Sequence, residues 1–123
     1  RPRVGVVGPA ALVHDPYLND NLVAFAAKQG FAAVLAPPEY LVDEDMSYPA
    51  ALTYFQNEGI QTVLYLNSFR CLKGHIDAYG KQQQLRERFP GLRITVIDFD
   101  SESSVLNRQN RIVLTLRNHF VRK

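Results

Sequence analysis

Cysteine is almost missing from the chain: Cys71 is the single thiol in 123 residues. A lone cysteine closes no internal disulfide, which excludes the stapled frameworks of small secreted proteins. Long apolar runs are missing as well. No stretch approaches the roughly 20 residues that a membrane span requires, and there is no signal-peptide pattern. Neither sign of charge is in excess. A formal net charge of +2 is too small to point to nucleic acid or an anionic membrane as a partner. The basic residues at the two ends, Arg1, Arg3, Arg117, Arg122 and Lys123, read as solvated termini. We therefore expect a cytoplasmic location with neither nucleic-acid nor membrane partners.

What is present is the composition of an ordinary globular domain, 46% hydrophobic and 21% charged. That balance argues against disorder. A chain of this length buries a real core without disulfides or metal. Residues 1–123 read as a single domain. The chain starts at Arg1 rather than Met and enters a strand at once, which we expect of a piece cut from a larger multidomain protein.

Along the chain, a strand-then-helix pattern repeats four times, without any sequence repeat. Arg3 to Val7 is short and β-branched and stops at Gly8-Pro9, the signature of a strand. Asp15-Pro16 is expected to open a helix whose apolar stripe is Leu18, Leu22, Phe25 and Ala26, with Gly30 as its C-terminal glycine. Phe31 to Ala36 is the second strand, ended by Pro37-Pro38, and Glu39 to Ser47 is a loop. Pro49 suits the first turn of the next helix. Leu52 and Phe55 face inward from it, and Gly59 closes it. Ile60 to Leu66 is the third strand. A third helix follows, carrying Ile76, Tyr79, Leu85 and Phe89, and ends at Pro90-Gly91. Leu92 to Phe99 is the fourth strand. Ser103 or Ser104 then caps a last helix, with Val105, Ile112, Val113, Leu116 and Phe120 on one face and Ser104, Asn107 and Arg111 on the other. Apolar strands alternating with helices predict a three-layer α/β domain. We expect a flavodoxin-like or Rossmann-like four-stranded parallel sheet in the order 2-1-3-4, with right-handed crossovers.

Ligands of such sheets bind beyond the carboxyl ends of the strands. Gly5 and Gly8 are similar to a dinucleotide-binding turn, but their spacing is not G-x-G-x-x-G, and no acid ends the second strand to hold a ribose. P-loop and G-x-S-x-G patterns are lacking too. His14-Asp15 is a candidate acid–base pair, set against a capping Asp beside an exposed His, which is the commoner use of these residues. Asp98 and Asp100 are candidate cation ligands, set against a turn and a cap. Cys71, with Arg70 and Lys73 beside it, is the most suggestive position, because positive neighbours favour thiolate; a packed, inert cysteine is the alternative. No catalytic residue can be named.

Three segments along these loops carry a likeness. Val4-Gly5-Val6-Val7-Gly8 is followed by His14-Asp15-Pro16-Tyr17-Leu18-Asn19; Asn67-Ser68-Phe69-Arg70-Cys71 ends the third strand; Ile97-Asp98-Phe99-Asp100 leads to Asn107 and Arg111. In these the chain resembles the 2-hydroxyacyl-CoA dehydratase and benzoyl-CoA reductase subunits and the related CoA-enzyme activase-like proteins. The likeness spans nearly the whole chain in short motifs. Arg70 stands where the family often has glycine. The resemblance implies one domain of a larger subunit that holds a 4Fe–4S cluster with cysteines from different domains and acts on acyl-CoA or partners a protein that does. It implies Cys71 as a metal ligand and Ser68, Arg70, Asp100 and Arg111 at the cofactor. It also implies other domains or subunits as partners, with the isolated domain inactive and free of the cluster. A different class remains open beside it: a flavodoxin-like small-ligand binding or interaction module without a redox centre.

Overall fold

The computed structural model describes residues 2–42, 48–67, 83–99 and 105–120. The elements run β1 (Arg3–Val7), α1 (Ala10–His14), α2 (Leu22–Lys28), β2 (Ala32–Leu35), a 3-10 turn (Pro38–Tyr40), α3 (Pro49–Asn57), β3 (Thr62–Asn67), α4 (helical over 83–88), β4 (Arg93–Asp98) and α5 (Val105–Phe120). All strand pairs are parallel, and the sheet order is β2-β1-β3-β4. This is the expected three-layer, flavodoxin-like α/β fold. Given right-handed crossovers, α2 and α5 share one face of the sheet and α3 and α4 the other.

The central strands are apolar without alternation because both of their faces are covered. Val63, Leu64, Tyr65 and Leu66 of β3 are all buried, as are Val4, Val6 and Val7 of β1. α3 approaches β1 closely because Gly5 has no side chain: a Cβ there would sit 2.7 Å from the Phe55 ring. Phe55 is fully buried, with Leu52 and Ala51 beside it. Both helices that end in Gly close in the same way. Phe31 donates its N–H to Ala26 O at 2.9 Å and Gly30 to Ala27 O at 3.0 Å; Ile60 donates to Phe55 O at 2.9 Å and Gly59 to Gln56 O at 3.2 Å. These paired bonds form the left-handed helix stop in which glycine carries no Cβ penalty, and Gly30 and Gly59 have φ of 89° and 77°.

Two expectations need correction. The first crossover is two helices rather than one. α1 comes straight after the Gly8-Pro9 turn, and residues 15–21 are a turn, so Leu18 is 40% exposed instead of lying on a helical stripe. The reason is local: the Asp15 carboxylate accepts the Tyr17 N–H at 2.9 Å, a turn closure that competes with helix initiation. In α5, Ile112 and Leu116 are buried and Val113 is half-buried, but Val105 is 46% exposed. Val105 begins the helix just beyond the end of β4, past the sheet that buries the later turns. Ser103, Ser104, Ile76 and Tyr79 lie outside the described residues, as does the side chain of Phe120.

Candidate functional site at the carboxyl rim

The rim is assembled from strand ends. Asn67 and Asp98 are register partners at the last step of β3 and β4, so these two strands end side by side. β1 ends one strand over. There Gly8 passes so near β3 that a Cβ would stand 2.7 Å from the Leu66 carbonyl oxygen. Backbone therefore crosses the middle of the rim where a side chain would not fit.

Above β1 and β2 the polar groups are spent on backbone. His14 donates from Nε2 to the Ala36 carbonyl at 2.7 Å; a carbonyl only accepts, so this contact requires the Nε2–H tautomer. It ties the end of α1 to the end of β2. Asp15 is committed to the Tyr17 N–H. The two neighbours therefore act on separate backbone groups, and the turn-and-tether reading replaces an acid–base pair. Asn19 is buried at 3% exposure. Its amide nitrogen donates to Leu12 O at 2.9 Å and to Val13 O at 2.8 Å, while its Oδ1 accepts the Leu22 N–H at 3.1 Å. One side chain thus terminates α1 and starts α2. Asn19 belongs to the first segment of the family likeness, and its part in that segment is structural. The Asn-Asp-Asn run at 19–21, rich in turn and cap residues, was the available signal for it.

Across the same face, Arg108 of α5 donates from Nε to Asp20 Oδ2 at 2.8 Å. The guanidinium lies over the Phe99 ring, 5.0 Å from its centroid. Both charged side chains are largely buried, at 11% and 19% exposure. This clasp joins the turn before α2 to the first turns of α5 and the end of β4. Nothing in the sequence pattern points to a pair 88 residues apart.

Of the residues expected at a cofactor, Arg111 is described. Its Nε donates to the Val96 carbonyl of β4 at 3.1 Å, so α5 uses this arginine on the sheet edge. Ser68, Arg70, Cys71, Lys73 and Asp100 lie outside the described residues, as does the side chain of Asp98. Among the described residues, no three His, Cys, Asp or Glu side chains gather as metal ligands, and no helix is long and apolar enough to cross a membrane. There are two open hollows among the described residues. One, of about 340 Å³, is lined by Gln29, Phe31, Val113 and Arg117 near the amino ends of the strands. The other, of about 420 Å³, runs between the 3-10 turn and α3 along Tyr40, Pro49 and Tyr54. Compared with protein-family models, curated proteins and solved structures, the chain gives no match.

Proposed function

We propose that the chain is a flavodoxin-like domain of a 2-hydroxyacyl-CoA dehydratase-type enzyme or of its activase-like relatives, and that its carboxyl rim supports an iron–sulfur cluster, an acyl-CoA site, or both. The observation that carries this reading is that β3 ends at Asn67, at the carboxyl rim of an open parallel sheet, where ligands of such sheets are received. In the sequence, Cys71 follows four residues later. The likeness in the three segments gives the reading its chemistry. One thiolate cannot hold a cluster, since a closed site takes about four protein ligands. The chain accordingly supplies one ligand, and other domains or subunits supply the rest. When bound, the cluster provides electron transfer. This chain's part is to hold one sulfur and to set charge near it in sequence: Arg70 and Lys73 favour the thiolate form of Cys71, and the resemblance adds Ser68, Asp100 and Arg111 as polar groups for the cofactor, although Arg111 is engaged with the Val96 carbonyl.

The test is made on the full-length protein prepared without oxygen. Cys71→Ala is expected to lower bound iron and the visible absorption of the cluster, and stripping iron from the parent is expected to raise thiol reactivity that the variant lacks. Iron and absorption equal to the parent's would remove Cys71 as a ligand. A second reading, a binding or interaction module without a redox centre, is favoured by one observation: His14, Asn19, Asp20 and Arg108 are engaged with backbone or with one another. It takes over if the iron content does not change.

A further inference from the structure

The two edges of the sheet are finished differently. β4 is one edge. Its Arg93 N–H faces β3, bonded to Gln61 O at 2.7 Å, so the backbone groups of Ile94 and Val96 face outward. Both outward carbonyls are covered: Arg86 of α4 donates to Ile94 O at 3.1 Å, and Arg111 of α5 to Val96 O at 3.1 Å. β2 is the other edge. Ala32 donates to Pro2 O and Ala36 to Val6 O, so Ala32, Val34 and Ala36 face β1 while the N–H and C=O groups of Ala33 and Leu35 face outward. Among the described residues no hydrogen bond reaches those outward groups. All four residues of β2 are half-buried and apolar.

The flank around β2 is also uncharged. From Asn21 to Pro38 the single charged residue is Lys28. α2, which packs on β2, reads Leu-Val-Ala-Phe-Ala-Ala-Lys, apolar at every position but the last, although Leu22 and Ala26 alone are buried. Val23 is 43% exposed, and Ala24, Phe25 and Ala27 are half-buried. A helix apolar on all sides ordinarily has cover on all sides.

We propose that the β2 edge, with α2 beside it, is the interface for a second copy of this chain, the two sheets joining through antiparallel β2 strands about a two-fold axis at Val34. That axis sets Ala33 opposite Leu35 of the second copy, and Leu35 opposite its Ala33. Each is a pair that exchanges both N–H···O bonds. The strand is thus its own complement, as an isologous contact requires. No like charges oppose one another across it. Pro37 and Pro38 stop the ladder, so a longer foreign strand gains nothing beyond the length β2 itself offers. The patch is short, which places it among weak, concentration-dependent interfaces.

The test is sedimentation velocity on the full chain over a micromolar-to-millimolar series, beside thermal melts. The parent is expected to form a dimer as concentration rises. Ala33→Pro removes an outward donor and leaves the β1 ladder intact; it is expected to weaken the dimer by about tenfold or more with little change in melting. Leu35→Lys, which keeps the backbone donor, is expected to abolish it and reads the interface even if the proline variant melts early. Arg86→Ala and Arg111→Ala are expected to leave the dimer in place. A parent that stays monomeric throughout overturns the proposal. So does a dimer that survives Leu35→Lys, or one lost through the arginine variants alone.

Discussion

The β4 flank and the β2 flank solve one problem in two ways. An unpaired strand edge invites further strands, and β4 answers with arginines from the helices on either side of it, seated on consecutive outward carbonyls. β2 has no such cover among the described residues; it is short and ends in prolines. The contrast teaches that helix placement and edge protection are coupled here: Arg86 and Arg111 fix α4 and α5 to the strand and blunt it in the same contacts.

The sharpest way to break the comparison is to shift proline by one residue along β2. Val34→Pro removes an inward donor and is expected to cost about 3 kcal/mol. Ala33→Pro is expected to cost less than about 0.5 kcal/mol. Urea denaturation measures both, and equal losses would mean that the outward groups are not free. The clasp between the flanks comes next. Asp20→Ala removes the carboxylate that faces Arg108 in a mostly covered position, and a loss of about 2–3 kcal/mol is expected. Asp20→Asn with Arg108→Met should lose less than the two single changes added together; strict additivity would show that the pair is not coupled. At the β4 edge, Arg86→Ala and Arg111→Ala are each expected to cost about 1 kcal/mol. The double variant should begin to associate through β4, visible as light scattering that Ala33→Pro does not suppress. Smallest is Cys71→Ser in this chain without metal. A modest shift fits a thiol on the rim, whereas a loss above about 2 kcal/mol would mark it as a packing residue.

Much of this architecture was legible beforehand, and the reasons are physical. β1 was expected at Arg3–Val7 and is found there, because a β-branched run bounded by Gly-Pro leaves little choice of ends. Gly30 and Gly59 announced both helix stops, since the required backbone conformation is one that other residues resist. The sheet order followed from four strand–helix units and the handedness of their crossovers. α1 was not legible, because five residues are too few to show a helical period. Asp15-Pro16 read as a helix opening for the same reason that it makes a good turn: a short carboxylate can reach nearby backbone in either setting. The contacts of Asn19 are local and left a signal in the Asn-Asp-Asn run at 19–21 that went unread, whereas the pairing of Asp20 with Arg108 depends on tertiary placement and leaves no trace in spacing. At the candidate site the rim itself was legible from topology. Ser68, Arg70, Cys71 and Asp100 lie outside the described residues, and short loops of this kind carry no periodicity from which their arrangement could be read.

Asn19 has a consequence for how the protein ages. Its side chain works as an amide, with the nitrogen directed at two carbonyl oxygens and the oxygen at an N–H. Spontaneous hydrolysis to aspartate would preserve size and shape while replacing a double donor with an anion facing the Leu12 and Val13 carbonyls. Such a lesion leaves the sheet alone, yet it unties the end of α1 and the start of α2 together. Asn19→Asp would be expected to lose the order of this corner while the strands remain protected from hydrogen exchange, so the lesion would be read locally rather than in the sheet.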